Sequence, residues 1–168
     1  YAAILEARLE ATLRRADADS RDIALSIPVA ALSKQAVPRY AREIETKLNS
    51  HLVNFPELTS IRVFDADGDT LYAVSSVPAP PTHISERLYF RLLRDNPQAG
   101  LVFSDVILSR STGRQSMPIA IALRDGQGAF RGILSSSVDL DYFQKFFQSL
   151  DLGAQGSIAL RRSDDQTL

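Results

Sequence analysis

The chain has 168 residues, 45% of them hydrophobic and 23% charged, which is typical of one globular unit with short appendages. Its formal net charge of −1 provides no positive excess for a phosphate backbone, so we expect no nucleic-acid partner. The sequence contains no cysteine, which excludes disulfides, thiolate catalysis and zinc–cysteine sites. It also has no apolar run near the roughly 20 residues that a membrane span requires.

A long amphipathic helix is predicted at the start of the chain, ending near Pro28. Its apolar or small positions recur at intervals of three and four and are Leu5, Leu9, Leu13, Ala16, Ser20, Ile23 and Ile27. Charged residues between them exclude a signal peptide. Because the chain begins inside this pattern and stops just after a strand-like run, we expect both ends to be cut from a longer protein.

A second helix and a β-hairpin are predicted next. The helix starts at Pro38, which suits a first helical turn, and ends at 54–56. Its stripe at intervals of four is Tyr40, Ile44, Leu48 and Leu52. From residue 58 the apolar period changes to two, and "SIRVFDADGDTLYAVSS" predicts a hairpin whose turn contains Gly68.

The remaining elements alternate between helix and strand. After the proline loop "SVPAPPT", Ser85 is the predicted N-cap of a short helix that runs to about Arg94. Three strands follow, in "LVFSDVILS", "QSMPIAIALR" and "FRGILSSSV". Asp139 or Ser137 can cap a last helix, "LDYFQKFFQSL", which ends at Gly153, and "GSIALRR" starts one more strand. This order predicts an α+β fold with a five-stranded antiparallel sheet and helices packed on it.

Four patterns that resemble chemical sites have simpler interpretations. "DADGDT" has its glycine fourth instead of sixth for a calcium loop, and "GQGAFRG" leads into a strand instead of a helix, so both are predicted to be turns. The serines of "SSS" lack a predicted base in reach, because His51 and His83 fall in the second helix and the proline loop. Asp139 and Asp141 suit a helix N-terminus. We therefore expect no catalytic residue, no metal and no cofactor.

One group of residues suits binding without a reaction. Arg87, Tyr89 and Phe90 lie on the short helix, and Arg110 and Arg114 flank a hairpin tip. By period two, Ser135, Ser137 and Asp139 share one face of a strand. Guanidinium groups bind carboxylates, aromatic rings cover an apolar body, and an aspartate pairs with an amine or hydroxyl. Taken singly, each residue is equally consistent with a surface arginine or a core aromatic.

The order of these motifs resembles the membrane-distal, PAS-like half of a double Cache (PDC) extracellular sensor domain. The resemblance covers about 100 residues, from 55 to 152, and rests on "IRVFDADGDTLYAVSS", "ISERLYFRLL" and "TGRQSMPIAIALRDGQGAFRGILSSSVDL". The continuation "DYFQKFFQSLDLGAQGSIAL" is most similar to sensors that precede GGDEF diguanylate cyclase domains. The resemblance implies that the chain has three parts: a helical stalk at 1–54, the sensor at 55–152, and the start of a membrane-proximal half at 153–168.

The resemblance also implies a function and a set of binding residues. In amino-acid-binding members of the family, the ligand is bound by residues at the positions of Arg87, Tyr89, Phe90 and Asp139. This chain differs from those members at Thr82 and Ile107, where they have aromatic residues. Arg114, Ser135 and Ser137 complete the predicted site. The implied ligand is a carboxylate or other small polar metabolite.

Two functions from different classes therefore stay open. The first is a non-catalytic, periplasmic sensor domain of a bacterial inner-membrane protein, held by transmembrane helices outside this chain. It would dimerise through its N-terminal helices and signal to a cytoplasmic output, first of all a diguanylate cyclase. The second is a structural or dimerisation module of a histidine kinase or chemoreceptor, with its pocket packed shut.

Overall fold

The two N-terminal helices pack together on one face of the sheet. The computed structural model describes residues 2–110, 113–142 and 145, and its first helices are α1 (Ala2–Ser26) and α2 (Val37–Leu52), joined by two short 3-10 turns. The second half of the predicted α1 stripe is buried, namely Ala16, Ser20, Ile23 and Ile27. Its first half, Leu5, Leu9 and Leu13, lies outside the described side chains. Among the described residues, no helix has the length and hydropathy to span a bilayer.

The sheet is antiparallel, and its strands follow the order β2-β1-β6-β5-β3. The bounds are β1 (Leu58–Asp65), β2 (Thr70–Ser75), β3 (Val102–Phe103), β4 (Ile107–Leu108), β5 (Gln115–Arg124) and β6 (Phe130–Asp139). Helix α3 (Leu88–Asp95) lies between β2 and β3 in the sequence. The predicted α+β class with a five-stranded path is confirmed.

The segment predicted as one strand at 101–109 forms two short strands instead. β3 and β4 both pair with β5, but their registers differ by one residue, because Phe103 lies opposite Ile119 whereas Ile107 lies opposite Ser116. The interruption falls beside Pro118, which accepts a hydrogen bond from the Ser104 N–H at 2.9 Å but has no N–H to donate in return. A continuous ladder is therefore impossible at this point.

The two turns predicted from "DADGDT" and "GQGAFRG" are confirmed. The Asp65 carboxylate accepts the backbone N–H groups of Asp67 and Asp69 at 3.0 and 2.9 Å, and the carbonyl of Asp65 accepts the N–H of Gly68. Asp125 caps the second turn in the same way, through the N–H groups of Gln127 and Ala129.

Period-two alternation divides the sheet residues between two cores. One face, with Ile61, Val63, Met117, Ile119, Leu134 and Val138, packs against α1 and α2. The other face, with Phe64, Ala120 and Ile133, packs against Tyr89, Phe90 and Leu93 of α3. The polar positions Arg62, Ser116, Ser135 and Ser137 alternate with the first core, so they lie on the α3 side of the sheet.

The prediction that Ser85 caps α3 is wrong, and the prediction of a cap at Asp139 is confirmed. The residue before the helix is Arg87, which makes no side-chain capping bond, while Ser85 Oγ contacts His83. Asp139 Oδ1 accepts the Asp141 N–H at 2.9 Å, and residues 140–142 are helical. The rest of the predicted last helix, its Gly153 cap and the strand in "GSIALRR" lie outside the described residues. The three-part domain division stays a prediction.

Candidate ligand-binding site

A cavity of about 40 Å³ lies between α3 and the polar positions of the sheet, and it opens to solvent on one side. Three groups of residues line it. The strands β1, β5 and β6 supply Arg62, Phe64, Ser116, Pro118, Ser135 and Ser137; the loop before α3 and its first turn supply Thr82, Ile84, Arg87 and Tyr89; the segment around β4 supplies Ile107, Ser109 and Arg110.

Four of the seven predicted site residues line this cavity. Arg87 and Tyr89 do so from the start of α3, and Ser135 and Ser137 do so from β6. The wall also contains Arg110, Thr82 and Ile107. The structure therefore brings together residues that are separated by 50 positions in the sequence.

The other three predicted residues lie elsewhere among the described residues. Phe90 is fully buried beneath the cavity, where its ring meets that of Phe130 edge to face at a centroid distance of 5.6 Å. Arg114 is exposed, just before β5. Asp139 shares a face with Ser135 and Ser137, as expected from period two, but its carboxylate caps the helical turn. A role for these three in binding stays a prediction.

Arg62 lines the cavity from β1, and the sequence did not single it out; the same is true of Ser116 on β5. The Arg62 side chain is only 5% exposed, and its Nη1 atom donates to the Pro80 carbonyl at 3.0 Å and to Thr82 Oγ1 at 3.4 Å. No carboxylate of a described residue forms an ion pair with it, and burial lowers the pKa of the guanidinium. The signal was an arginine within the apolar strand "SIRVFD", at a position opposite Ser135.

Three buried polar atoms of cavity-lining residues have no hydrogen-bond partner among the described residues. They are Arg62 Nη2, Arg87 Nε and Ser116 Oγ. Since nearly all buried polar groups in proteins are hydrogen-bonded, three unpaired groups in the lining of one cavity could bind a polar ligand.

Tyr89 adds a further donor to the wall. Burial is the main cause that raises the pKa of Tyr89 to about 12. The phenol therefore stays protonated at neutral pH and can donate a hydrogen bond.

The raised pKa of Tyr89 predicts a loss of stability in alkaline solution. The neutral phenol is favoured in the folded state, so its contribution is complete below the unfolded pKa near 10 and is lost as pH rises toward about 12. We expect the free energy of unfolding of the wild type, relative to Tyr89→Phe, to fall by about 2 kcal/mol between pH 9 and 12. Urea unfolding of both proteins across this range measures the difference, and parallel curves would contradict it.

An ion pair lies at the rim of the cavity. Arg110 Nη1 contacts Glu86 Oε1 at 2.5 Å, and Arg110 also donates to the His83 carbonyl at 3.2 Å. A hydrogen bond from its own backbone N–H, followed by the charge of Arg110, lowers the pKa of Glu86. Arg87 Nε is 3.9 Å from the same Glu86 oxygen, beyond hydrogen-bond distance. The Glu86 carboxylate therefore pairs more closely with Arg110 than with Arg87.

A second polar network fixes the wall in front of α3. His83 Nδ1 contacts Asp69 Oδ1 and its Nε2 contacts Ser85 Oγ, both at 2.6 Å, while Lys34 Nζ donates to Asp69 Oδ2 at 2.6 Å. These contacts lower the pKa of Asp69. The order Asp, His, Ser is that of a hydrolytic triad, but the carboxylate is shared with Lys34, and Ser85 is not among the residues that line the cavity. The network is best explained as a brace between the hairpin turn and α3.

Neither histidine contacts the serine run of β6. His83 is held by the network around Asp69, and His51 Nδ1 contacts Asp19 Oδ1 at 2.5 Å, on the side of the helices. The serines thus act as hydroxyl groups of the cavity wall and of the sheet.

The fold matches that of a class of solved structures, which are extracellular sensor and ligand-binding domains of signalling receptors. No protein-family model matches the chain, and no curated protein matches its sequence. The likeness to solved structures confirms the predicted fold class.

Three structures illustrate the likeness. The extracellular domain of rpHK1S-Z16, a protein assigned as a histidine kinase, has a TM-score of 0.78 and 29% identity, over 96% of this chain and 64% of that one. The ligand-binding domain of the Campylobacter jejuni chemoreceptor Tlp3 with L-valine has a TM-score of 0.69 and 12% identity, over 98% and 65%. The ligand-binding domain of the Pseudomonas aeruginosa PAO1 amino-acid chemoreceptor PctC with GABA has a TM-score of 0.57 and 12% identity, over 84% of this chain and 61% of that one.

This chain spans less than two thirds of each of these three domains. The two chemoreceptor domains share its fold at low sequence identity. The histidine kinase domain has the higher identity, 29%.

Proposed function

We propose that this chain is the ligand-sensing part of an extracytoplasmic receptor domain of the Cache type, and that its cavity binds a small polar metabolite without transforming it. One observation supports this most strongly: Arg62 Nη2, Arg87 Nε and Ser116 Oγ are buried, have no partner among the described residues, and belong to residues that line one cavity. A ligand that accepts their hydrogen bonds would remove the penalty of leaving them unpaired.

The arrangement of the sheet supports a route for the signal. Ser135 and Ser137 face the cavity, while Leu134 and Val138 of the same strand pack in the core that contains Ile23 of α1. A shift of β6 on ligand binding would therefore displace side chains that contact the N-terminal helix. In this proposal the ligand favours one of two packing arrangements, and α1 passes that change toward the membrane.

The location and output belong to the same proposal. We place the domain in the periplasm of a bacterium, attached to the inner membrane by segments outside this chain. The names of similar structures, a histidine kinase and chemoreceptors, favour those two outputs. The similarity of "DYFQKFFQSLDLGAQGSIAL" to sensors of diguanylate cyclases favours the third.

Dimerisation through the N-terminal helices also stays a prediction. The described part of the α1 stripe, including Ile23, is buried in the chain's own core. A dimer contact would therefore use other positions of the helix, and Leu25, which is 89% exposed, is available for it.

A second candidate function is a structural module that binds no ligand. The small cavity volume, about 40 Å³, favours it, because a space of that size holds only a few water molecules. A metabolite with several carbon atoms requires an outward movement of α3 or of the proline loop at 76–82. The two functions therefore differ in whether α3 or the loop at 76–82 moves outward to admit a ligand.

Thermal unfolding with a panel of small acids, amines, amino acids and sugars distinguishes these functions. A ligand at 100 times its Kd stabilises the folded state by about 2.7 kcal/mol. We expect at least one compound to raise the Tm in this way, and Arg87→Ala to reduce its affinity by at least about tenfold.

Arg91→Ala is the matched control, because Arg91 is an exposed arginine on the same helix and does not line the cavity. It should leave the ligand response unchanged. If no compound moves the Tm of the wild type, the structural module is the better function. An equal loss of affinity in both variants would remove Arg87 from the site.

A further inference from the structure

We infer that the ligand is an organic anion whose carboxylate binds Arg62 and which carries no ammonium group. This inference rests on the proposed function and adds the chemical class of the ligand. It also differs from the amino acids named with the similar chemoreceptor structures.

Arg62 provides the anion site. Its guanidinium is held on one side, where Nη1 donates to the Pro80 carbonyl, while Nη2 remains without a partner in the cavity wall. A buried cation without a counter-ion is unfavourable, and a carboxylate satisfies both its charge and its free N–H groups. Because Nη1 is held by the Pro80 carbonyl, the planar guanidinium is fixed in orientation, and Nη2 is preorganised to bind that carboxylate.

The opposite wall continues the same chemistry. Arg87 contributes a second positive charge and an unpartnered Nε, and the Tyr89 phenol is a neutral donor. On β5, Ser116 Oγ is also buried and has no partner among the described residues. Apart from the serine and threonine hydroxyls, the polar side chains of this wall are donors, so the cavity is suited to a ligand that mainly accepts hydrogen bonds.

An ammonium group would find no carboxylate in this wall. Among the described residues that line the cavity, none is an aspartate or a glutamate. Two acids close in sequence to lining residues have other partners: Glu86 pairs with Arg110 at the rim, and Asp139 caps the helical turn after β6. The amine of an amino acid would therefore lie near the charges of Arg62 and Arg87 with no carboxylate of the cavity lining beside it, and a misplaced like charge is a strong source of specificity.

Calorimetric titration of the 168-residue chain with matched pairs of compounds tests this inference. The pairs differ by one ammonium group: propionate and L-alanine, succinate and L-aspartate, glutarate and L-glutamate. In every pair with measurable binding, we expect the acid without the amine to bind at least about tenfold more tightly.

Two variants of Arg62 test its role. Arg62→Met removes the charge at similar length, and we expect at least about 100-fold weaker binding of the preferred acid. The Tm of the free protein should stay equal or rise, because an unpaired buried charge is lost. Arg62→Lys keeps the charge but removes the planar pair of guanidinium donors, so we expect about tenfold weaker binding. If Arg62→Met does not fold, the binding measured for Arg62→Lys tests the role of Arg62.

Arg91→Met is the matched control, because Arg91 is an exposed arginine that does not line the cavity. We expect it to leave succinate binding unchanged. Tighter binding of the amino acid in a pair, or an equal loss of acid binding in Arg62→Met and Arg91→Met, would overturn the inference while leaving the sensor function intact. Binding only of compounds without a carboxylate would do the same, whereas a complete absence of ligands would overturn both.

Discussion

Replacing Gly132 with alanine is expected to lower the free energy of unfolding by about 3 to 6 kcal/mol. Gly132 lies in the central strand β6, between Asp65 of β1 and Leu123 of β5, and its φ is +147°. A Cβ atom at this position would lie 1.9 Å from the carbonyl oxygen of Phe64. The neighbouring atom belongs to the backbone of an adjacent strand, so it cannot rotate away, and the strands would have to separate.

Chemical denaturation of Gly132→Ala and of Gly126→Ala measures this effect. Gly126 lies in the exposed turn between β5 and β6, and a Cβ there meets nothing within 4 Å. Its replacement should change stability by less than about 0.5 kcal/mol. Similar stabilities for the two variants would show that β1 and β6 are not this close. Because domains are stable by only about 5–15 kcal/mol, failure of Gly132→Ala to fold also agrees with the prediction.

Replacing Phe90 with alanine should destabilise the chain by about 3 to 5 kcal/mol and weaken ligand binding as well. Phe90 has 0% exposure and packs edge to face on Phe130, in the core that joins α3 to the sheet. It follows Tyr89, so a cavity beneath it would loosen the helix that carries the wall of the site. We therefore expect a lower Tm and a reduced ligand response in the same variant.

Leu88→Ala is the matched control for this prediction, because Leu88 is on the same helix but is 65% exposed. A change of less than about 0.5 kcal/mol is expected for it. Equal losses in the two variants would contradict the assignment of Phe90 to the core of α3.

The fold was accessible from the sequence because its signals are local. Apolar residues at intervals of four gave α2, and alternation around Gly68 gave the β1–β2 hairpin, so the α+β class was predicted correctly. The split of the strand at 101–109 depends on its pairing with Pro118, far along the chain. Ser85 was a plausible cap by residue type, but its hydroxyl contacts His83, and the helix starts later. The first error arises from strand pairing, and the second from a local contact between residues two positions apart.

The site was less accessible than the fold, because its residues come from segments that are distant in the sequence. Arg87 and Tyr89 were found because they share one helix, but Arg62 is isolated in an apolar strand. Its role depends on burial against α3 and on Pro80, which the sequence does not reveal. Phe90 points to a general ambiguity: a residue next to site residues on a helix faces either the cavity or the core, and here it lies in the core.

We infer that the cavity between α3 and the sheet holds a small anion through Arg62 and Arg87. A crystal structure of the chain with the acid that binds most tightly would show the atoms that hold it. We predict carboxylate oxygens within about 3.2 Å of Arg62 Nη2 and of Arg87 Nε, with α3 moved outward to admit the ligand. An acid bound at another surface, while Arg62 Nη2 is paired with a carboxylate of the protein itself, would contradict the claim.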